Sequence, residues 1–186
     1  MTPKVVFASA ALVLSLGFAA PASAAAFVLG GGLADACSRY AIDGRSDEYA
    51  LSTCTYALET ENLVKRDRAA TLVNRGVIEL RRKAYDAANR DFDTAIRLQP
   101  AMGEAFVNRG AALIAQRRWQ DGMADIDRGL ALGSDEPEKA YFNRALAWEA
   151  LDNLEAAWRD YSKALELKPG WEAPRKELAR FTVTPK

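Results

Sequence analysis

The chemistry open to this chain is limited first by the side chains that it lacks. None of its 186 residues is a histidine, so the usual general base and the commonest metal ligand are both absent. Two cysteines are too few for a zinc site of ordinary composition. An enzyme would have to use carboxylates, lysine, tyrosine or serine, and the sequence contains no recognisable catalytic motif with these residues. The sequence therefore predicts a protein that is not an enzyme and that uses no cofactor or metal.

An Asn-Arg pair followed by a small residue occurs three times and is the most regular polar feature of the chain. The stretches are VNRG at 73–76, VNRG at 107–110 and FNRA at 142–145, spaced by 34 and 35 residues. An aspartate follows each arginine sixteen residues later. Guanidinium and carboxylate groups that lie side by side form two parallel hydrogen bonds. We therefore expect three structural ion pairs: Arg75–Asp91, Arg109–Asp125 and Arg144–Asp160.

These pairs require two helices side by side, and the surrounding residues predict that arrangement. The segments 69–102, 103–137 and 138–171 carry small residues at matched positions, where two closely crossing helices leave no room for a side chain. Large apolar residues recur between them at helical spacing. Pro100 and Pro169 follow the second helix of their segments, since proline cannot continue a helix. Each segment is thus predicted to be an antiparallel helix pair.

A period of 34 residues with this pattern resembles the tetratricopeptide repeat family, whose unit is a helix–turn–helix of that length. The resemblance covers residues 69–171, with arginine at 75, 109 and 144 where the family more often has leucine. It implies an all-α, right-handed superhelix of stacked helix pairs. Residues 172–181 have the amphipathic pattern of a capping helix, which such stacks need at their end. Residues 182–186 are expected to form a flexible tail.

The N-terminus resembles a secretory signal. Lys4 precedes an apolar run over 5–20, and Ala22-Ser23-Ala24 has the small-x-small pattern that signal peptidase accepts. The run is short for a membrane span, which needs about 20 apolar residues. We predict a signal peptide at 1–24 with cleavage after Ala24, and a periplasmic or secreted protein. An uncleaved membrane anchor is the alternative.

The two cysteines lie in residues 25–68, which we interpret as a lead-in and a degenerate repeat-like hairpin. In the register of the later repeats, Cys37 takes the position of Arg75 and Cys54 stands one residue beyond that of Asp91. Cys37 and Cys54 would then face each other on two helices. An oxidising compartment favours a disulfide between them. A redox-active pair and free thiols are the alternatives, although a redox site usually has Cys-x-x-Cys spacing.

The resemblance also implies a binding groove, because the first helices of such repeats line an inner, concave wall. On this basis the groove would contain Asn74, Asn108, Asn143, Lys139, Val73, Val107 and Phe142. An asparagine side chain both donates and accepts hydrogen bonds, so it can pair with the backbone of an extended peptide. Capture of a C-terminal carboxylate is a second interpretation, but Ala70 and Asn143 stand where that clamp has cations. Asparagines that serve only helix ends or solvent are a third.

The function predicted from these features is a non-enzymatic protein-interaction scaffold of the bacterial cell envelope, which binds a peptide segment or partner helix. Nucleic acid is not an expected partner, because the chain carries 25 basic and 25 acidic residues and has no overall attraction for phosphate. A membrane-anchored structural protein and a thiol redox protein are the alternatives. Weak homodimerisation through an unfilled end of the stack is a further expectation.

Overall fold

The computed structural model describes residues 4–7, 24–26 and 32–184. Within these ranges the chain forms nine helices and two short strands. In order they are β1 (Lys4–Phe7), α1 (Leu33–Ile42), α2 (Glu48–Thr60), α3 (Lys65–Arg81), α4 (Tyr85–Leu98), α5 (Gly103–Ala115), α6 (Trp119–Ala131), α7 (Pro137–Ala150), α8 (Leu154–Leu167), α9 (Glu172–Leu178) and β2 (Phe181–Thr184).

Eight of these helices associate as consecutive pairs, α1 with α2, α3 with α4, α5 with α6 and α7 with α8. Each pair also contacts the next, so the pairs are stacked in chain order. The first helices α1, α3, α5 and α7 contact one another in turn and form one layer of the stack. The predicted fold, a stack of helix–turn–helix units with a capping helix, is confirmed.

The turns inside the three full units share one backbone conformation. Lys83, Arg117 and Asp152 follow the first helix of their units, and each has a positive φ, of 62°, 63° and 59°. This left-handed conformation reverses the chain in few residues. The second helix begins two residues later in each unit, at Tyr85, Trp119 and Leu154.

Small residues set the distance between paired helices, most clearly in the middle unit. A Cβ on Gly110 would lie 2.6 Å from the carbonyl oxygen of Gly122, and one on Gly122 would lie 2.7 Å from that of Gly110. The backbones of α5 and α6 therefore touch at this crossing. Ile126 is buried beside this crossing, and Phe92 is buried beside the equivalent one at Gly76 in the first full unit.

The first full unit begins earlier than the period predicts. Helix α3 starts at Lys65, four residues before the boundary expected at 69, so residues 65–68 add about one turn to its start. Upstream, α2 begins after Asp47, whose side chain accepts a hydrogen bond from the backbone N–H of Ala50. This is the usual way of satisfying a free donor at a helix start.

The C-terminal end differs from the sequence prediction. The capping helix α9 ends at Leu178 rather than at 181, and Phe181–Thr184 form strand β2, antiparallel to β1. Residues 182–184 are therefore part of a strand, where a flexible tail was expected. The alternating Phe-Thr-Val-Thr sequence explains the change, because β-branched and aromatic residues favour strands. Buried Phe181 also contacts Tyr161, with 6.2 Å between ring centroids.

The predicted signal peptide at 1–24 lies outside the described residues except for Lys4–Phe7 and Ala24. In the part of the chain that the structure describes, no helix has the length and apolar character needed to cross a membrane.

Candidate functional site

The repeated arginines make contacts between units as well as within them. Arg109 donates from Nε and Nη2 to the two carboxylate oxygens of Asp125 on the partner helix, at 2.6 and 2.8 Å. Its Nη1 donates to Asp93 of the preceding unit at 2.7 Å. One guanidinium thus joins three helices, α4, α5 and α6.

The other two arginines have the same arrangement. Arg75 binds Asp91 at 2.7 and 2.8 Å, and Arg144 binds Asp160 at 2.7 and 2.9 Å. The remaining Nη1 again reaches the preceding unit, where Arg75 contacts the hydroxyl of Thr55 at 3.2 Å and Arg144 contacts Asp127 at 2.5 Å.

The contacts between units are a feature that the sequence analysis missed, although the sequence carries a signal for them. The second helices of the first two full units contain Asp-x-Asp, at 91–93 and 125–127. The first aspartate binds the arginine of its own unit and the second binds the arginine of the next. In the last full unit, which no arginine of this series follows, the second position is Ser162.

Charge pairing stabilises the charged form of the repeated arginines. The hydrogen bond with Asp125 raises the pKa of Arg109 against the opposing effect of burial, and Asp93 raises it further. The hydrogen bond with Asp160 raises the pKa of Arg144 in the same way. Such pairs are architectural, because each arginine is held by two side chains on two other helices.

In the first hairpin, Cys37 and Cys54 form a disulfide between α1 and α2, and their separation in the sequence is 17. Both cysteines are fully buried. Thr55, next to Cys54, supplies the acceptor that Arg75 uses between units. A covalent bond therefore stands in this hairpin where the later units have an arginine–aspartate pair.

The asparagines have a different role from the arginines beside them. Asn74 accepts a hydrogen bond from the backbone N–H of Ala26 at 2.8 Å and donates to the carbonyl oxygen of Ala26 at 2.8 Å. Asn108 makes the same two bonds with Ala24, at 3.0 and 2.6 Å. Each side chain thus pairs with both backbone polar groups of one residue. We call the surface of α3 and α5 that carries these two side chains the asparagine face.

The segment on the asparagine face is bound as an extended chain. Residues 24 and 26, but not 25, make the paired bonds, and alternate residues point the same way only in an extended backbone. Ser38 on α1 also donates to the carbonyl oxygen of Ala26, at 3.0 Å. The segment runs against the order of the units, because Ala24 lies on α5 and Ala26 on α3.

Side chains in this segment have little room. Ala24 is fully buried and Ala26 is 7% exposed, whereas Ala25 is only partly buried. Neither the segment nor Ser38 was identified from the sequence. The repeat pattern identifies the asparagines. The hydrogen bonds go to backbone atoms of the segment, and its small side chains do not stand out because alanine is frequent throughout residues 8–26.

Three residues predicted for the groove wall lie elsewhere, and that prediction was wrong. Val107 is fully buried and points at the second helix, since its Cγ2 would lie 2.6 Å from a Cβ on Gly129. Phe142 packs against Tyr161 and Trp171 with tilted rings, whose centroids lie 5.6 and 4.9 Å away. Val73 is fully buried in the core at the position equivalent to Val107. First helices have neighbours on several sides, so helical spacing alone did not separate core from groove.

The remaining predicted groove residues are Asn143 and Lys139. Asn143 is 1% exposed on α7, in register with Asn74 and Asn108. The ammonium of Lys139 lies 2.5 Å from a carboxylate oxygen of Glu136. Among the described residues, no group of three or more His, Cys, Asp or Glu side chains could hold a metal ion.

Comparison with known proteins supports the repeat type, although no family model matches the chain. A DnaJ homolog subfamily C member 7 homolog of Schizosaccharomyces pombe is 30% identical over 114 residues, which is 59% of this chain and 24% of that protein. An Hsp70-Hsp90 organizing protein of Triticum aestivum is 33% identical over 95 residues, 51% of this chain and 16% of that protein. The chain thus spans a quarter or less of the length of these relatives.

Solved structures give the same result for the fold. The first TPR of Spaghetti (RPAP3), bound to the HSP90 peptide SRMEEVD, superposes with a TM-score of 0.58 at 28% identity, covering 62% of this chain and 94% of that one. MamA superposes with a TM-score of 0.61 at 18% identity, covering 81% of this chain and 82% of that one.

Proposed function

This chain has the fold of a tetratricopeptide repeat solenoid, and on that premise we propose that it is a non-enzymatic scaffold that binds an extended peptide segment on the asparagine face. The observation that carries the proposal is the pairing of Asn74 and Asn108 with the backbone of residues 26 and 24. These four hydrogen bonds go to backbone groups, which every extended segment offers. The same side chains would hold the backbone of a partner protein.

The chemistry of this face favours the backbone of a segment over a terminal carboxylate. One helical turn before Asn74 stands Ala70, and one turn before Asn108 stands Glu104, whose carboxylate accepts a hydrogen bond from the N–H of Asp135 at 2.9 Å. The cation at the third such position, Lys139, is beside Glu136. The Spaghetti domain binds an HSP90 peptide that ends in EEVD. For this chain the acidic residue and the missing cations support an internal, uncharged segment instead.

The proposed setting is the periplasm or the exterior of a bacterium, after removal of residues 1–24. The supports are the positive start, the apolar run and the Ala-Ser-Ala pattern, together with a disulfide that suits an oxidising compartment. Sequencing the N-terminus of protein recovered from cell envelope fractions tests this: a start at Ala25 supports it, and a start at Met1 contradicts it.

Binding to the asparagine face is tested with a peptide of defined sequence. The probe is a capped peptide with the sequence of residues 21–29. It is titrated by calorimetry against the full chain carrying Ala24→Pro/Ala26→Pro, which lacks both N–H donors of the chain's own segment and so leaves the asparagine face open. Asn74→Ala/Asn108→Ala should weaken binding about tenfold or more, since four hydrogen bonds are lost. Asn89→Ala is the matched control, because Asn89 lies on the second helix α4 and donates to Gln116 at 2.9 Å. Equal loss in both variants, or none in either, would remove the proposal.

A further inference from the structure

We infer that residues 24–26 are an intramolecular ligand of the asparagine face, and that its external ligand is an extended segment with small side chains at two alternate positions. Removal of the chain up to Ala24 would then open half of the site. This inference deepens the proposed function and rests on it, because it assumes that the face binds peptide backbone.

The hydrogen bonds explain why the internal segment and an external one exclude each other. Asn74 uses its carbonyl oxygen and its amide nitrogen on one residue, Ala26, and Asn108 does the same with Ala24. Ser38 adds a second donor to the carbonyl oxygen of Ala26. A second peptide cannot make these paired bonds until the first has left. Occupation of the face is therefore competitive.

The attachment of the segment to the chain favours the internal ligand. Tethering turns its binding into an intramolecular step, with an effective concentration that reaches the millimolar range for short linkers. An external segment of similar intrinsic affinity therefore competes poorly while residues 24–26 are in place. The intact chain is expected to be the closed form.

Cleavage at the predicted site would act on this competition directly. A cut after Ala24 removes the residue whose N–H and carbonyl groups Asn108 binds, and it leaves Ala26 on Asn74. Asn108 would then face solvent with both of its hydrogen-bonding groups free for a partner segment. Processing of the N-terminus and opening of the binding face would be a single event.

Burial on this face selects the type of segment. Ala24 is fully buried and Ala26 nearly so, while Ala25 between them is partly exposed. A larger side chain at either buried position would need space that the surrounding residues already fill, whereas the middle position can extend toward solvent. The ligand class is thus a small-x-small segment, such as Ala-x-Ala, bound against the order of the units.

Proline substitutions in the full chain test the internal ligand. Ala24→Pro/Ala26→Pro removes both N–H donors and should release the segment. Ala25→Pro is the matched control, because the N–H of residue 25 takes no part in the paired bonds and proline suits an extended backbone. The probe is the capped peptide of residues 21–29, carrying a fluorophore. Circular dichroism melts of the helices verify that all three proteins fold.

The double variant should bind the probe at least tenfold more tightly than the unchanged chain, and Ala25→Pro should bind like the unchanged chain. Equal binding by all three, still weakened by Asn108→Ala, would overturn the internal ligand while the proposed function stands. Binding that is insensitive to Asn108→Ala in every protein would remove the proposed function and this inference with it.

Two altered probes test the ligand class on the double variant. A probe with leucine at the positions of residues 24 and 26 should lose binding at least tenfold. A probe with leucine only at the position of residue 25 should bind like the original. Equal binding of the two leucine probes would overturn the selection for small side chains.

Discussion

Asn108 and Ala24 are 84 positions apart in the chain, and the side chain of the one binds both backbone polar groups of the other. The contact is fully buried, since neither residue has exposed surface. A buried amide that pairs with a backbone N–H and a carbonyl oxygen is satisfied at little cost, whereas the same groups left unpaired would be destabilising. The two hydrogen bonds between Asn108 and Ala24 therefore hold the segment at 24–26 in one position.

Replacing Asn108 by aspartate should release Ala24. A carboxylate still accepts from the N–H of Ala24, but it cannot donate to the carbonyl oxygen and it repels that oxygen. We expect the amide of Ala24 to exchange with deuterium at least tenfold faster in Asn108→Asp, as followed by mass spectrometry of the peptide that contains residues 24–26. Asn89→Asp, on the far helix of the preceding unit, should leave the exchange unchanged. Equal acceleration in both variants would mean that the effect is not local.

Arg109 should couple two units energetically. Arg109→Lys keeps the charge but loses the fork that binds Asp125 and Asp93 together, and we expect it to lower the free energy of unfolding by about 1–2 kcal/mol. Asp93→Asn should cost less than Asp125→Asn, because the Asp93 side chain is 45% exposed and that of Asp125 is 15% exposed. Urea unfolding of Arg109→Lys, Asp93→Asn and Asp125→Asn measures these changes in the free energy of unfolding.

A double-mutant cycle then separates the contact between units from the contact within one. The cycle of Arg109→Lys with Asp93→Asn should show a nonzero coupling energy, and that of Arg109→Lys with Asp121→Asn should show none, since Asp121 pairs with Arg118 instead. Zero coupling to Asp93 would mean that this contact does not join the units.

The helix pairs were predictable because each repeat has small and apolar residues at the same positions and spacing. Gly110 and Gly122 align with small residues in the other units, and their backbones do touch. The ion pairs followed from a constant separation of sixteen residues between Arg109 and Asp125 and their equivalents. Local periodicity therefore carries both the fold and the contacts inside a unit.

The occupant of the asparagine face was not predictable in the same way. Ala24 and Ala26 are held by their backbone atoms, which every residue possesses, and their small side chains do not stand out among the many alanines of residues 8–26. The position of Phe142 was misassigned for a related reason. It lies on a first helix, but contacts with Tyr161 and with Trp171 of the C-terminal end hold it in the core. Spacing along one helix does not say which of two neighbours a side chain faces.

Gly110→Ala should destabilise the middle unit. The new Cβ would lie 2.6 Å from the carbonyl oxygen of Gly122 and 2.8 Å from Cγ1 of Ile126, and the backbone oxygen cannot move without moving α6. We expect a loss of about 1–3 kcal/mol, which exceeds the gain of up to about 1 kcal/mol from replacing glycine by alanine in a helix. Gly170→Ala is the control, because no atom beyond the adjacent residues lies within 4 Å of a Cβ there. Thermal melts should separate the two variants, and similar melting temperatures would contradict the close crossing.

Removal of the disulfide should loosen the first hairpin more than the rest of the stack. Cys37→Ala/Cys54→Ala opens a loop of 17 positions, for which chain entropy predicts a loss of about 3 kcal/mol. Contacts in a stack of repeats are made mainly between neighbours. Hydrogen exchange should therefore rise first in α1 and α2 and last in α7 and α8. A uniform rise along the chain would show instead that the stack opens as one unit.

The start of helix α2 should be sensitive to acid in a predictable direction. The side chain of Arg45 donates to both carboxylate oxygens of Asp47, at 2.8 and 2.9 Å, and the N–H of Ala50 donates at 3.1 Å. The hydrogen bonds from Arg45, and after them the one from Ala50, lower the pKa of Asp47 from 3.8 to about 2. Because the pKa is lower in the folded state, the stabilisation is complete above pH 3.8 and is lost as the pH falls through about 2.

Carbon-13 NMR titration of the carboxyl groups measures this pKa directly. Arg45→Ala should raise the pKa of Asp47 most of the way toward 3.8, with part of the lowering retained because the bond from Ala50 remains. Arg39→Ala is the matched control, since Arg39 pairs with Asp35 on α1 and makes no bond to Asp47. An Asp47 pKa that stays near 2 in Arg45→Ala would show that the helix start, and not the arginine, holds this carboxylate in its ionised form.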